Sequence, residues 1–526
     1  MQGICRGSLM RTVLAGLLCL ATMRASGQTL TMGVASSIVS LDPHYYNAAA
    51  DKVAAIHIFD RLIDFGPDTR LQPGLATAWR AVEPTIWEFT LRPDVHWHDG
   101  VPFTADDVAF TIGRVPNVPN SPGGYAGFVQ AIRAVEVMEP LVIRFHTATP
   151  YANLPLDLAS VSIVSRHIGE GATTADYNSG KAAIGTGPYR FAGYVAGDRL
   201  QLDRNDVWWG ARPEWQRVVL RTLTVPGART AALLAGDVDV IDSVPIPDLD
   251  RFRGEARFAV FNTPTQRTFD LRLNMRLADP PYITDNAGKP LVRNPLADPR
   301  VRQALTLSIN REALSARVMD GACTPTIQWL PKGSFSYAPN LVPLYDPAKA
   351  RALLIEAGYP EGFRITLHGP SDRYPNGPAM AQAVAQMWTR SGINTQVEVL
   401  PWASFSQRLA RSEFAISMGG LGVPTGEARY VLLNFVGTRD PGQGRGASNH
   451  SSYSNPALDR IVDQAAEMFD QTERERLLIS ATEMAIRDNA SITICQIQTN
   501  WAARKDLLVD IRVDERTLAM GVQSRR

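Results

Sequence analysis

The chain has 526 residues, 45% of them hydrophobic and 20% charged, with a formal net charge of +1. That is a globular composition, long enough for about two to four domains with separate cores. A near-neutral charge without basic runs argues against nucleic acid or an anionic membrane surface as partner.

At the N-terminus, Arg6 and Arg11 precede the apolar run VLAGLLCLATM, residues 13–23, and the small residues Ala25-Ser26-Gly27 follow. This pattern describes a secretory signal peptide over residues 1–27, with cleavage after about Gly27. The run is too short for a permanent membrane span. Cys19 hints at a lipid anchor, but Leu18 before it is too bulky for that signal. Removing the leader takes away three arginines and no acid, so the charge falls from +1 to −2. It also leaves Cys323 and Cys495 as the remaining cysteines, which in an exported chain could form one disulfide or none. A soluble protein outside the cytoplasm is expected.

TLTMGV, residues 29–34, reads as a strand. DKVAAIHIFDRLIDFG, residues 51–66, sets Val53, Ile56, Phe59 and Leu62 at helical spacing. WEFTLRP, residues 87–93, alternates strictly, with Trp87, Phe89 and Leu91 on one face. VHWHDGVPFTADDV, residues 95–108, continues with Val95 and Trp97 inward. His96 and His98 then share the polar face before the Asp99-Gly100 turn. A His-x-His pair on one face is how many metal sites begin. None of the other histidines stands at ligand spacing, so a solvated strand end is the expected reading. Thr104 and Asp107 form an approximate capping box for ADDVAFTI.

The second half uses one helix-opening device three times. Asp298-Pro299, Asp346-Pro347 and Asn455-Pro456 each place a capping side chain before a proline at the first helical position. Gly358 stops the middle helix. RITLHG and TQVEVL read as strands, and helices alternating with strands indicate α/β layers. Residues 117–127 and 437–449 are glycine- and proline-rich and read as surface loops. Enzyme signatures are missing: there is no G-x-S-x-G elbow, H-E-x-x-H, P-loop or Cys-x-x-Cys. Aromatic residues on loops, namely Tyr45, Tyr46, Tyr125, Tyr374 and Trp402, are candidates to line an apolar cleft.

Four segments in order, IFDRLIDFGPDTRLQPGLATAW, WEFTLRPDVHWHDGVPFTADDVAFTI, GTGPYRFAGYVAGDRLQLDRNDVWWG and DPRVRQALTLSINREAL, resemble extracellular solute-binding proteins of family 5. This group includes oligopeptide- and dipeptide-binding receptors of bacterial ABC importers. The resemblance runs from about residue 30 to about residue 515. It implies an α/β, two-lobed periplasmic-binding-protein-like fold with mixed sheets, a hinge between the lobes and an extra inserted domain. The first lobe would be discontinuous, residues 28–70, 183–265 and 492–526, with the insertion at 71–182 and the second lobe at 266–491. The function implied is capture of a peptide-like or other small acidic solute in the periplasm and delivery to an ABC permease and its ATPase. The protein would act as a monomer, without cofactor, metal or catalytic residues. Two other readings are open: a metal-chelate or haem carrier of the same fold, using His96 and His98 with His44 or His57, and a secreted hydrolase.

Residue roles carry over in part. DRYPNG resembles a segment whose arginine holds the ligand carboxylate in dipeptide receptors, which points to Arg373 with Tyr374 beside it. GGLGVPTGEARY resembles the peptide binders' G-W-x-x-D-x-x-D-P but departs from it. Leu421 replaces the tryptophan, Pro424 replaces the aspartate that would hold a free amine, and Glu427 stands where the second aspartate would be. An ordinary free-amine peptide is therefore disfavoured unless Glu427 reaches the cleft.

Overall fold

The computed structural model describes residues 29–122, 124–276, 282–371, 373–440 and 444–525. The leader assigned to residues 1–27 lies outside the described residues.

Strand Thr29–Val34 forms where it was read, and it pairs in parallel with Arg217–Thr222 and with Val240–Ile241. An antiparallel meander of Tyr189–Val195, Arg199–Arg204 and Arg217–Thr222 extends this sheet. Leu30, Met32, Leu200, Leu202, Val218, Leu220 and Trp501 fill the first-lobe core beneath it. In the second lobe, Phe363–Pro370 pairs in parallel with Ile393–Leu400 and with Ile416–Gly422, packed under helices. The three predicted helix starts are present. Asp298, Asp346 and Asn455 each accept a backbone N–H from the first turn of their helices, and Gly358 follows the middle helix with φ +91°.

Two long strands, Phe258–Leu273 and Ile492–Arg504, pair antiparallel and join the lobes into one sheet. Their ladder breaks midway. Pro264 faces Gln498 and Thr268 faces Gln496, so the three residues Thr265–Arg267 face Ile497 alone. Such a bulge bends a strand and re-aims its side chains. Here it turns Gln266 and Arg267 toward the gap between the lobes.

A separate four-stranded antiparallel sheet, Ala76–Glu83, Ile86–Leu91, Val142–Thr147 and Ile132–Glu139, carries its own core. Trp87, Phe89 and Leu91 are buried there as the alternation requires. The Asp107 carboxylate accepts the Thr104 N–H at 3.0 Å, as a capping box demands.

Two readings need correction. The helix read from residue 51 spans Ala49–Ile58, and Ile63–Phe65 is a strand, because Phe59 turns extended and the following residues pair with Leu71–Pro73. His98 is not on a solvated face. It is buried, its Nε2 lies 3.1 Å from the Gly187 carbonyl, and its Nδ1 accepts the Gly185 N–H at 3.2 Å, so it ties this segment to the first lobe. Both nitrogens are therefore engaged by backbone, and His96 alone remains exposed. Cys323 and Cys495 form a disulfide, with Cα atoms 5.7 Å apart, joining strand Cys323–Pro325 to the interlobe strand Ile492–Arg504.

Candidate functional site

Two neighbouring cavities occupy the gap between the lobes, and a third opens beside them within the first lobe. The largest, of about 470 Å³, has Ser243–Ile246 and Glu515 on the first-lobe side and Met319, Arg373 and Tyr374 on the other. A second, of about 310 Å³, lies between Lys52 and Arg516 on one side and Gly422–Pro424 on the other. Arg267 and Glu515 border both. The third, of about 150 Å³, shares Asp514–Arg516 and Ala49 with the second.

Of the residues singled out in the sequence, Arg373, Tyr374 and Trp402 come together. The Arg373 guanidinium lies 5.0 Å from the Trp402 ring centroid, and Tyr374 meets Trp402 edge-on at 6.4 Å. Tyr374 also packs edge-on against Phe269 at 5.9 Å. Arg373 is exposed and makes no ion pair with the described residues, so its fork is available to an acid entering the cleft.

The other candidates lie elsewhere. Leu421 is 2% exposed and belongs to the second-lobe core. In a strand, successive side chains alternate, so Gly420 and Gly422 face the cleft side and Leu421 faces away. Glu427 is buried against Arg474, whose Nη2 donates to both carboxylate oxygens at 2.6 Å and to the Asn153 Oδ1 at 2.6 Å. It lines none of the three cavities. Tyr125 is buried in the inserted sheet's core, against Phe128 and His44. Tyr45 and Tyr46 are half-buried and also do not line the cavities; the Tyr45 carbonyl accepts the Ser121 hydroxyl at 2.6 Å.

A sequence model described as bacterial extracellular solute-binding proteins, family 5 Middle, matches residues 70–443. The chain belongs to bacterial extracellular solute-binding protein family 5. Among curated members similar to it, the glutathione-binding protein GsiB of Pectobacterium atrosepticum is 28% identical over 86% of this chain and 85% of its own length. The dipeptide-binding protein of Escherichia coli is 26% identical over 90% of each. Among solved structures, HbpA2 from Haemophilus parasuis superposes with a TM-score of 0.81 at 22% identity, over 95% of this chain and 100% of that one. The two larger cavities lie between two lobes carried on mixed sheets.

Sequence reasoning missed Lys52, Arg267, Glu515 and Arg516 as cleft residues of this family 5 member. Lys52 sits on a helix that reads as amphipathic packing, and Arg267 reaches the cleft through a bulge that no local pattern announces. Glu515 carries no sequence signal; its φ of +64°, uncommon for a non-glycine residue, is visible only in the structure.

Proposed function

We propose that this protein is the solute receptor of an ABC importer, exported by its N-terminal leader, and that it closes its two lobes on a peptide-like or other small acidic solute and presents it to the permease. The single observation behind this reading is Arg373. It is a cation without an acidic partner among the described residues, stacked on Trp402 at the wall of the largest interlobe cavity. Lobe closure would desolvate it, and an unpaired buried charge is costly, so the closed state favours a solute that brings a carboxylate. No uncommitted carboxylate stands at Pro424 or Glu427 to hold an amine.

Calorimetric titration of matched peptides with free or amidated C-termini tests the reading. The acid form should bind more tightly, and Arg373→Ala should weaken it by about 2–5 kcal/mol, the scale for truncating one side of a buried charge pair. Acetylated peptides should bind at least as well as free-amine ones. Equal affinity for acid and amide would remove Arg373 as the anchor. Multiple turnover of a bound solute would favour the hydrolase instead.

A further inference from the structure

We propose that the cavity beside Lys52 and Arg516 is a second acid-binding subsite, so that the solute carries two separated carboxylates, one held at Arg373 and one here. This rests on the reading of the cleft given above.

The case is a matter of which charges are already matched. Five cations stand at or near this cavity: Lys52, Arg61, Arg267, Arg512 and Arg516. Four carboxylates, Asp64, Asp510, Asp514 and Glu515, answer the arginines. Asp64 is held by Arg61, Glu515 lies 3.5 Å from Arg267, and Asp514 accepts from Arg512 at 2.7 Å while lying 3.6 Å from Arg516 Nε. Lys52 is left without an ion pair or side-chain hydrogen bond among the described residues. Its neighbour Asp51 does not serve it: that carboxylate accepts the backbone N–H groups of Val39 and Ser40 at 3.0 and 2.8 Å. Arg516 Nη1 is buried and meets no acceptor. Burial, with lesser contributions from the charges of Arg516 and Arg61, holds the Lys52 ammonium down to about 8.

Helix Ala49–Ile58 begins at this cavity, with Ala49 in its wall, and Asp51 in its first turn offsets the partial positive charge of a helix start. Across the gap, Pro424 contributes no charge at all. A carboxylate placed beside Lys52 would find an ammonium with no ion pair among the described residues, and the Arg516 guanidinium in the same wall. The shared border of Arg267 and Glu515 lets one elongated molecule reach both this cavity and Arg373.

The test is calorimetric titration of wild-type protein with acetyl-Glu-Ala-Ala and acetyl-Ala-Glu-Ala, each beside its Gln counterpart. At least one Glu peptide should bind about tenfold or more tightly than its Gln partner. Lys52→Met should collapse that ratio toward one, and Lys52→Arg should preserve it. Should Lys52→Met fail to fold, Lys52→Gln takes its place, and the wild-type ratio stands as a test by itself. Equal binding of Glu and Gln peptides would overturn the second subsite while leaving the Arg373 reading intact. A Glu preference untouched in Lys52→Met would place the second acid elsewhere and overturn the assignment. Absence of binding by all four peptides would overturn both readings together.

Discussion

The Tyr374 ring lies directly over the backbone of Gly420, so close that a β-carbon at residue 420 would fall inside the ring's van der Waals envelope. The glycine is what allows the aromatic wall beside Arg373 to stand where it does. Gly420→Ala should therefore push Tyr374 off its seat, cost about 1–3 kcal/mol of stability and weaken ligand binding. In a Tyr374→Ala background the added methyl has no ring to strike. A double-mutant cycle by denaturant unfolding checks this: the two changes should be clearly non-additive, and additive costs would refute the contact.

Glu427 and Arg474 should behave as a structural pair. Glu427→Gln leaves a buried guanidinium short of its counter-charge and should lower stability by about 3–5 kcal/mol. The choice between free-amine and acetylated peptides should not change. A shift in that choice would mean that Glu427 reaches the solute after all.

Asp157 gives a pH dependence with a defined sign. Burial raises its carboxyl to about 7, against the opposing effects of the Tyr151 hydroxyl, which donates at 2.6 Å, and of Arg429. An unfolded aspartate titrates near 3.9. Between these values the folded state binds a proton that the unfolded state lacks, so this group's contribution falls as pH rises, by up to about 1.4 kcal/mol per unit. The buried His44, His57 and His98, held from 6.5 down to about 4, act with the opposite sign over most of that window. The readout is therefore a difference: the stability of Asp157→Asn relative to wild type should rise steadily from about pH 5 to about pH 7 and level off above it. A gap constant with pH would show that Asp157 does not titrate there.

The Cys323–Cys495 bridge closes a sequence separation of 172 residues. Replacing both with Ser, or reducing the bridge, should lower stability by about 2–5 kcal/mol. Ala322 and Ile497, beside the bridge, line the largest cavity, so affinity for an acidic peptide should fall as well. Thermal unfolding and titration of the double variant, with and without reductant, separate the two effects. An unchanged melting temperature would contradict the stabilising role.

By itself the sequence determined what local chemistry controls. Alternation set the strand with Trp87, Phe89 and Leu91, and capping residues before proline set three helix starts, because each signal is contained within one element. Four motif-bearing segments in order were enough to suggest the family, and a short motif was enough to single out Arg373. What only the tertiary structure decided depends on non-local pairing. His98 reads as solvated until Gly185 and Gly187, 87 and 89 residues away, take both its nitrogens. Glu427 reads as available until Arg474 arrives from helix Gln471–Arg487. Lys52, Arg267 and Arg516 come together at the cleft through a strand bulge and a C-terminal segment remote in sequence. A buried charge is defined by what surrounds it, and a linear pattern does not hold the distances that fix that environment.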